Sequence, residues 1–313
     1  MNKTQLLSPL LNIESTMAFK LSELKGPSAK LLESLLKKKF DLGTKTQRPF
    51  YWNAEAYGLD KTTLFQSCTE EQKFLILKGL NDLRFMEALS IEKAGIHYHS
   101  KMVLLSDSLD EKTFYSAFVA DELRHFHSFL QYCPIETPVE YLQQNPFLQL
   151  INLAIQDGDR ECMMAFLQHI LEGLGLSYYR SLKETCNDES LKADLEALLK
   201  DEAFHVGSAN VFLDNKVYDD QKPLLKELIF KFAEGHPAWI YPVISACDQV
   251  LGGLSKTQKA QLLTELNYEQ INAQKTLELK NLIMCPFTKP IVDEAEKRNL
   301  FSAITVSQFV ERF

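Results

Sequence analysis

Two short strings in this 313-residue chain have the residue types and spacing to hold a metal ion: D-E-L-R-H from Asp121 and D-E-A-F-H from Asp201. Three residues along an α-helix return to nearly the same face. Glu122 with His125, and Glu202 with His205, can therefore each offer a carboxylate and an imidazole to one point. A lone Glu-x-x-His is ordinarily a surface pair. These two are linked by a self-similarity at an offset of 80 residues, for in the same ungapped register Glu92 meets Glu172, Gly95 meets Gly175, Tyr98 meets Tyr178 and Ser128 meets Ser208.

The elements that must position these groups follow from capping and punctuation. Thr69 and Gln72 form a capping box for a helix running to about residue 105, Ser106-Asp107-Ser108 breaks it, and Ser108 with Glu111 forms a box for a second helix ending near Pro134. Further helices are expected over 160–185 and 190–212, parted by Asn187-Asp188, and earlier in the chain over 28–40. Pro223, Pro237 and Pro242 divide shorter pieces, and one long polar helix is expected over 256–282. Strand-like alternation is scarce, so the fold class is all-α.

Thirty residues separate Glu92 from Glu122, and Glu172 from Glu202, and each pair is centred on an expected turn. In an antiparallel hairpin, residues equidistant from the turn share a level. Each hairpin thus sets a lone Glu opposite a Glu-x-x-His. Two hairpins face to face converge four carboxylates and two imidazoles among apolar neighbours such as Phe85, Phe118 and Leu195. Unpartnered buried carboxylates cost several kcal/mol each or shift their pKa, and two divalent cations would resolve the repulsion. Oxygen-rich ligands with one imidazole per ion suit iron or manganese.

The bulk numbers exclude other classes. A formal charge of −8 argues against nucleic acid as partner. The six cysteines form no C-x-x-C pair and read as reduced thiols. No window reaches the ~20 apolar residues of a membrane span, and the N-terminus is a poor signal-peptide core, so a cytoplasmic location is expected.

The ligand pattern resembles the ferritin-like di-iron carboxylate proteins, with a Glu on each of two helices and Glu-x-x-His on the other two. The resemblance covers residues 70–212. It implies a four-helix bundle within a single domain over 1–313, with helical extensions at 1–69 and 213–313. The Pro-containing segment 133–158 would be the long crossover. By this likeness Glu92, Glu122 and His125 would hold one metal, and Glu172, Glu202 and His205 the other, with Glu122 and Glu202 bridging. Asp121 and Asp201 would each fix a ligand histidine by accepting its distal N–H, or are solvated acids. His169 and His99 stand open between extra ligand, proton relay and core histidine. Tyr179 is open between a group near the metals and a core tyrosine. Within the superfamily the layout is similar to the p-aminobenzoate N-oxygenases and the acyl-carrier-protein desaturases. The former carry an extra histidine where this chain has Leu198.

The likeness implies two iron ions, or a manganese–iron pair, and O₂ as co-substrate. The activity implied is hydroxylation, desaturation or N-oxygenation of a small organic molecule, with an external electron donor. Iron storage by a ferroxidase, or a helical scaffold with a structural metal site, are the competing expectations. The C-terminal extension could build a substrate cavity or a homodimer face.

Overall fold

The computed structural model describes residues 34–35, 45, 48–132, 145–213 and 223–312. Among the described residues there is no strand, and the chain is all-α. The helix expected over 28–40 lies outside the described residues, save for 34–35, which are helical.

Helix α1 (Glu70–Leu105) starts on the foreseen box: Thr69 Oγ1 accepts from the Gln72 amide at 3.2 Å, and Gln72 Oε1 accepts from the Thr69 amide at 2.9 Å. Ser108 caps α2 (Leu109–Leu130), but its box is only half made. The Glu111 carboxylate turns to Arg160 at 2.6 Å, because an ion pair outweighs a second cap bond. The crossover is not a bare loop. Asn145 and Pro146 start α3 (Pro146–Asp157), Asn145 accepting from two free amides and Pro146 occupying a position that needs no N–H.

Asp159 caps α4 (160–185), which is α-helical over Arg160–Met163, π-helical over Met164–Leu171 and α-helical again over Glu172–Thr185. Helix α5 (Glu189–Leu213) opens where Asp188 accepts from the Leu191 amide at 2.9 Å. Helices α1 and α2 form one hairpin, α4 and α5 the second, and α2 packs on α5.

The C-terminal part is α6 (Pro223–Gly235), α7 (Tyr241–Val250), α8 (Lys256–Glu265), α9 (Tyr268–Ile283), α10 (Lys289–Lys297) and α11 (Val306–Arg312). The single helix expected over 256–282 is thus two. Asn267 sits in the left-handed region with φ 53°, a conformation asparagine tolerates better than most residues, and the chain bends there.

The segment ahead of α1 is tied in by one buried side chain. Asn81 Oδ1 accepts from the Tyr51 and Trp52 amides at 2.7 and 3.0 Å, while its Nδ2 donates to the Trp52 carbonyl at 2.9 Å. The fully buried Trp52 indole donates to the Leu182 carbonyl across the bundle at 2.9 Å. Two apolar clusters flank the level of Glu92. One holds Tyr98, Phe118 and Phe166, and the other holds Trp52, Phe85, Phe129 and Tyr179.

Candidate metal centre

All six side chains singled out by the repeat converge between the two hairpins. Glu92, Glu122, His125, Glu202 and His205 are buried, and Glu172 keeps 14% of its side chain exposed. His125 Nδ1 lies 3.2 Å from Glu92 Oε2 and 3.4 Å from Glu202 Oε1. His205 Nδ1 lies 3.3 Å from Glu122 Oε1 and 3.8 Å from Glu202 Oε2. The donor atoms form two groups, each within 4.8 Å of one another: Glu92, Glu122, His125 and Glu202, then His99, Glu122, Glu172 and His205. Glu122 belongs to both. The two oxygens of Glu202 face the imidazoles of both halves, His125 at 3.4 Å and His205 at 3.8 Å.

His99 stands with the donors rather than behind them. Its Nε2 lies 3.3 Å from both Glu122 Oε1 and Glu172 Oε1, on a ring packed against Phe118. The repeat contained the signal. At the 80-residue offset His99 aligns with Tyr179, a second polar ring on the inward face. Tyr179 donates a short hydrogen bond to Glu92 Oε1.

The two acids preceding the motifs act across the bundle. His125 Nε2 lies 3.1 Å from Asp201 Oδ2, and His205 Nε2 lies 3.4 Å from Asp121 Oδ2. Each imidazole is therefore oriented by the opposite hairpin, which leaves its Nδ1 turned to the centre. Arg124, to which the sequence reading gave no role, donates to Asp121 at 2.8 Å and to Asp201 at 2.9 Å, closing this layer. The repeat places Phe204 opposite Arg124, so symmetry alone could not reveal it.

Of the readings left open for His169, the structure favours the core histidine. It is buried in the π-helical stretch beside Cys285 and belongs to neither donor group. A π turn carries more residues than an α turn, so counting three back from Glu172 at α-helical pitch overstates its approach to the centre. Gln168 faces the bundle interior instead, accepting from Tyr98 Oη at 2.6 Å and donating to the His205 carbonyl at 2.9 Å.

Gly95 makes room for the shared carboxylate. A Cβ there would lie 2.5 Å from Glu122 Oε2 and 2.6 Å from its carboxyl carbon.

The electrostatics are those of a site built for cations. Burial raises the Glu92 carboxyl to about 8 and Glu172 to about 7, each only partly opposed by its histidines. Burial also works against the charged form of Glu122, but the His205 and His99 imidazoles facing it at 3.3 Å outweigh it and hold this carboxyl below its usual range. Burial disfavours the His205 imidazolium, yet Asp121 and Glu122 raise it to about 11, and His125 is likewise raised well above its usual value by Asp201, Glu202 and Glu92. Protons on the histidines stand in for metal charge. Glu92 Oε2, Glu172 Oε2, His99 Nε2, His125 Nδ1 and His205 Nδ1 are buried without a hydrogen-bond partner. Such orphans cost about 1–3 kcal/mol each, and cations held between them would satisfy all five at once. The donor set thus fits metal ions.

A cavity of about 1370 Å³ reaches this centre, with Glu92, Glu122, Glu172 and Glu202 in its wall. No helix of the described residues is long and apolar enough to cross a membrane. Comparison with family models, with curated proteins and with solved structures returns no match.

Proposed function

We propose that the protein is an O₂-activating oxidoreductase with a carboxylate-bridged di-iron or manganese–iron centre, related in kind to the ferritin-like di-iron proteins. Its substrate would be an organic molecule that enters the cavity and is hydroxylated, desaturated or N-oxygenated. The observation that carries this reading is the cavity itself, mainly apolar and with the Glu92, Glu122, Glu172 and Glu202 carboxylates in its wall. A storage protein needs a path for ions, and a structural metal site needs no path at all, whereas an oxidase needs space for a substrate beside the metals.

A bound metal pair would supply the electrons and Lewis acidity for O₂ reduction, with the balance drawn from substrate and an external reductant. The chain's residues do the rest. Glu122 and Glu202 would bridge, with Glu92, His125, His99, Glu172 and His205 completing the positions. Asp121, Asp201 and Arg124 fix the imidazole orientation. Tyr179 holds the Glu92 carboxylate through its hydroxyl, and its own proton is retained because burial raises the phenol well above its usual value. Glu172, the least buried ligand, is the one positioned to shift as a substrate arrives.

The test is metal analysis after anaerobic loading with Fe(II), followed by exposure to O₂ with and without candidate substrates. Two ions per chain, rapid O₂ consumption and substrate-dependent product support the reading. Slow growth of ferric mineral, or loading with no O₂ reactivity, overturns it. Glu122→Ala should lose both ions because both donor groups share it, while His236→Ala, outside both groups, should keep them.

A further inference from the structure

One wall of the cavity carries polar groups that the metal centre does not use. Arg84, Glu87 and Tyr178 line it, together with Tyr57 from the helical turn Ala54–Tyr57. The Arg84 guanidinium lies 4.0 Å over the Tyr57 ring and 5.0 Å over the Trp52 ring, which fixes its plane. One Arg84 nitrogen donates to the Ala56 carbonyl at 3.4 Å, and Nη1 is buried with no partner. The hydroxyls of Tyr57 and Tyr178 are also buried and unpartnered. Tyr178 is near enough to Glu87, Arg84 and Tyr57 for each to act on its phenol. Among the described residues no carboxylate lies within ion-pair distance of Arg84, although Glu87, one turn along α1 in the same wall, interacts with it electrostatically.

We propose that this wall is an anchoring subsite for the carboxylate end of an elongated, otherwise apolar substrate, whose remaining chain runs along the cavity toward the metal ligands. The inference rests on the reading of the cavity as a substrate chamber. The chemistry is donor-rich: a fixed guanidinium and two phenols call for an acceptor with several lone pairs, which a carboxylate provides. Both phenols keep their protons, since burial raises each above its usual range. Glu87 is the opposing group in this wall, and Asp82 on the same helix also acts on Tyr57. Burial raises the Glu87 carboxyl to about 7 although Arg84 pulls it down, so an arriving carboxylate can keep it protonated and a donor as well.

The reach is consistent with such a ligand. Arg84 precedes Glu92 by eight residues of one helix, about 12 Å along its axis, and Tyr178 follows Glu172 by six, about 9 Å. Because α1 and α4 pair with their cavity faces opposed, these two offsets run the same way from the centre: Tyr98 and Gln168 meet on one side of it, while Trp52 and Leu182 meet on the other, where Arg84 stacks. Ile91 on α1 and Leu174 and Gly175 on α4, all in the cavity wall, lie between the anchor and the centre and give the ligand an apolar track.

The experiment is titration calorimetry of the metal-loaded full-length protein with decanoate, decanol and decylamine under anaerobic conditions, without turnover. Decanoate should bind at least about tenfold tighter than decanol, because charge-assisted hydrogen bonds are made only by the acid. Arg84→Met should remove that difference. Tyr178→Phe, which leaves the Arg84 stack in place, should weaken decanoate by about threefold, and Glu87→Gln should not weaken it. All three variants should hold two ions per chain, which separates loss of the anchor from loss of the centre. The proposal fails if decanoate binds no tighter than decanol, if decylamine binds tightest, or if Arg84→Met and Tyr178→Phe both bind decanoate as wild type does. Each of those results would leave the metal and O₂ measurements standing.

Discussion

Glu122 is the residue on which most of the centre's charge turns, and its neighbours set a definite pH dependence. Without metal, Glu92 at about 8, Glu172 at about 7 and His205 at about 11 all lie above their unfolded values. The folded chain therefore binds more protons than the unfolded one from about pH 5 upward, and the stability contributed by these groups is lost as pH rises through the folded values. Glu122, whose carboxyl is depressed, acts in the opposite sense only at acid pH. Metal-free protein should show a melting temperature that falls from pH 6 to pH 9, and metal loading at pH 7 should release protons, measurable as a buffer-dependent heat. A melting temperature that rises over this range would refute the protonated-histidine account. At this scale the convergence of the six repeat-borne side chains was legible from spacing, because helical pitch and equal distance from a turn are local properties. Arg124 was not, and the place of His99 among the donors was left open. Both depend on what crosses between the hairpins, and both sit where the repeat breaks its own symmetry.

The helices were legible in proportion to how local their signals were. The box at Thr69 and Gln72 appears as read, since both partners lie within one turn. The box at Ser108 lost its Glu111 to Arg160, a residue of another helix. The break at Asn267 was missed because no proline or glycine marks it. The π-helical stretch was invisible to a periodicity argument that assumes an α pitch, which is why His169 stood open between core and centre. Gly95 belongs to this scale too. Alanine in a helix interior is normally about 1 kcal/mol better than glycine, but here its Cβ would meet the Glu122 carboxyl at 2.5 Å. Gly95→Ala should therefore lower metal stoichiometry while leaving the metal-free fold intact, with circular dichroism and metal analysis as the paired measurement. Retention of two ions per chain would show that Glu122 can move aside.

At the scale of the whole molecule, the segment ahead of α1 is joined to the bundle by Asn81, by the Trp52 indole, by the Asn187 amide on the Tyr51 carbonyl and by the Arg48–Asp188 ion pair. Asn81 alone satisfies the Tyr51 and Trp52 amides and the Trp52 carbonyl. Asn81→Ala leaves three buried backbone groups unmatched, and a loss of about 2–4 kcal/mol in urea unfolding is expected. Because Trp52 also props the Arg84 guanidinium, this variant should blunt decanoate binding without altering metal content. The fold class followed from composition and punctuation. The cavity did not, because its walls join α1 and α4 with turns before the bundle and helices after it, and nothing in a linear pattern says that such distant pieces will leave space between them.

The duplicated ligand set is not a duplicate in chemistry. One half offers three carboxylates and a single imidazole, while the half containing His99 offers two of each. Harder, more oxophilic ions compete better for the first, and ions that favour nitrogen compete better for the second. Offered Mn(II) and Co(II) together, the chain should sort them, manganese to the Glu92 half and cobalt to the His99 half, as anomalous scattering at the two absorption edges would register. His99→Tyr, which restores the repeat's symmetry, should abolish that preference and leave the two ions scrambled.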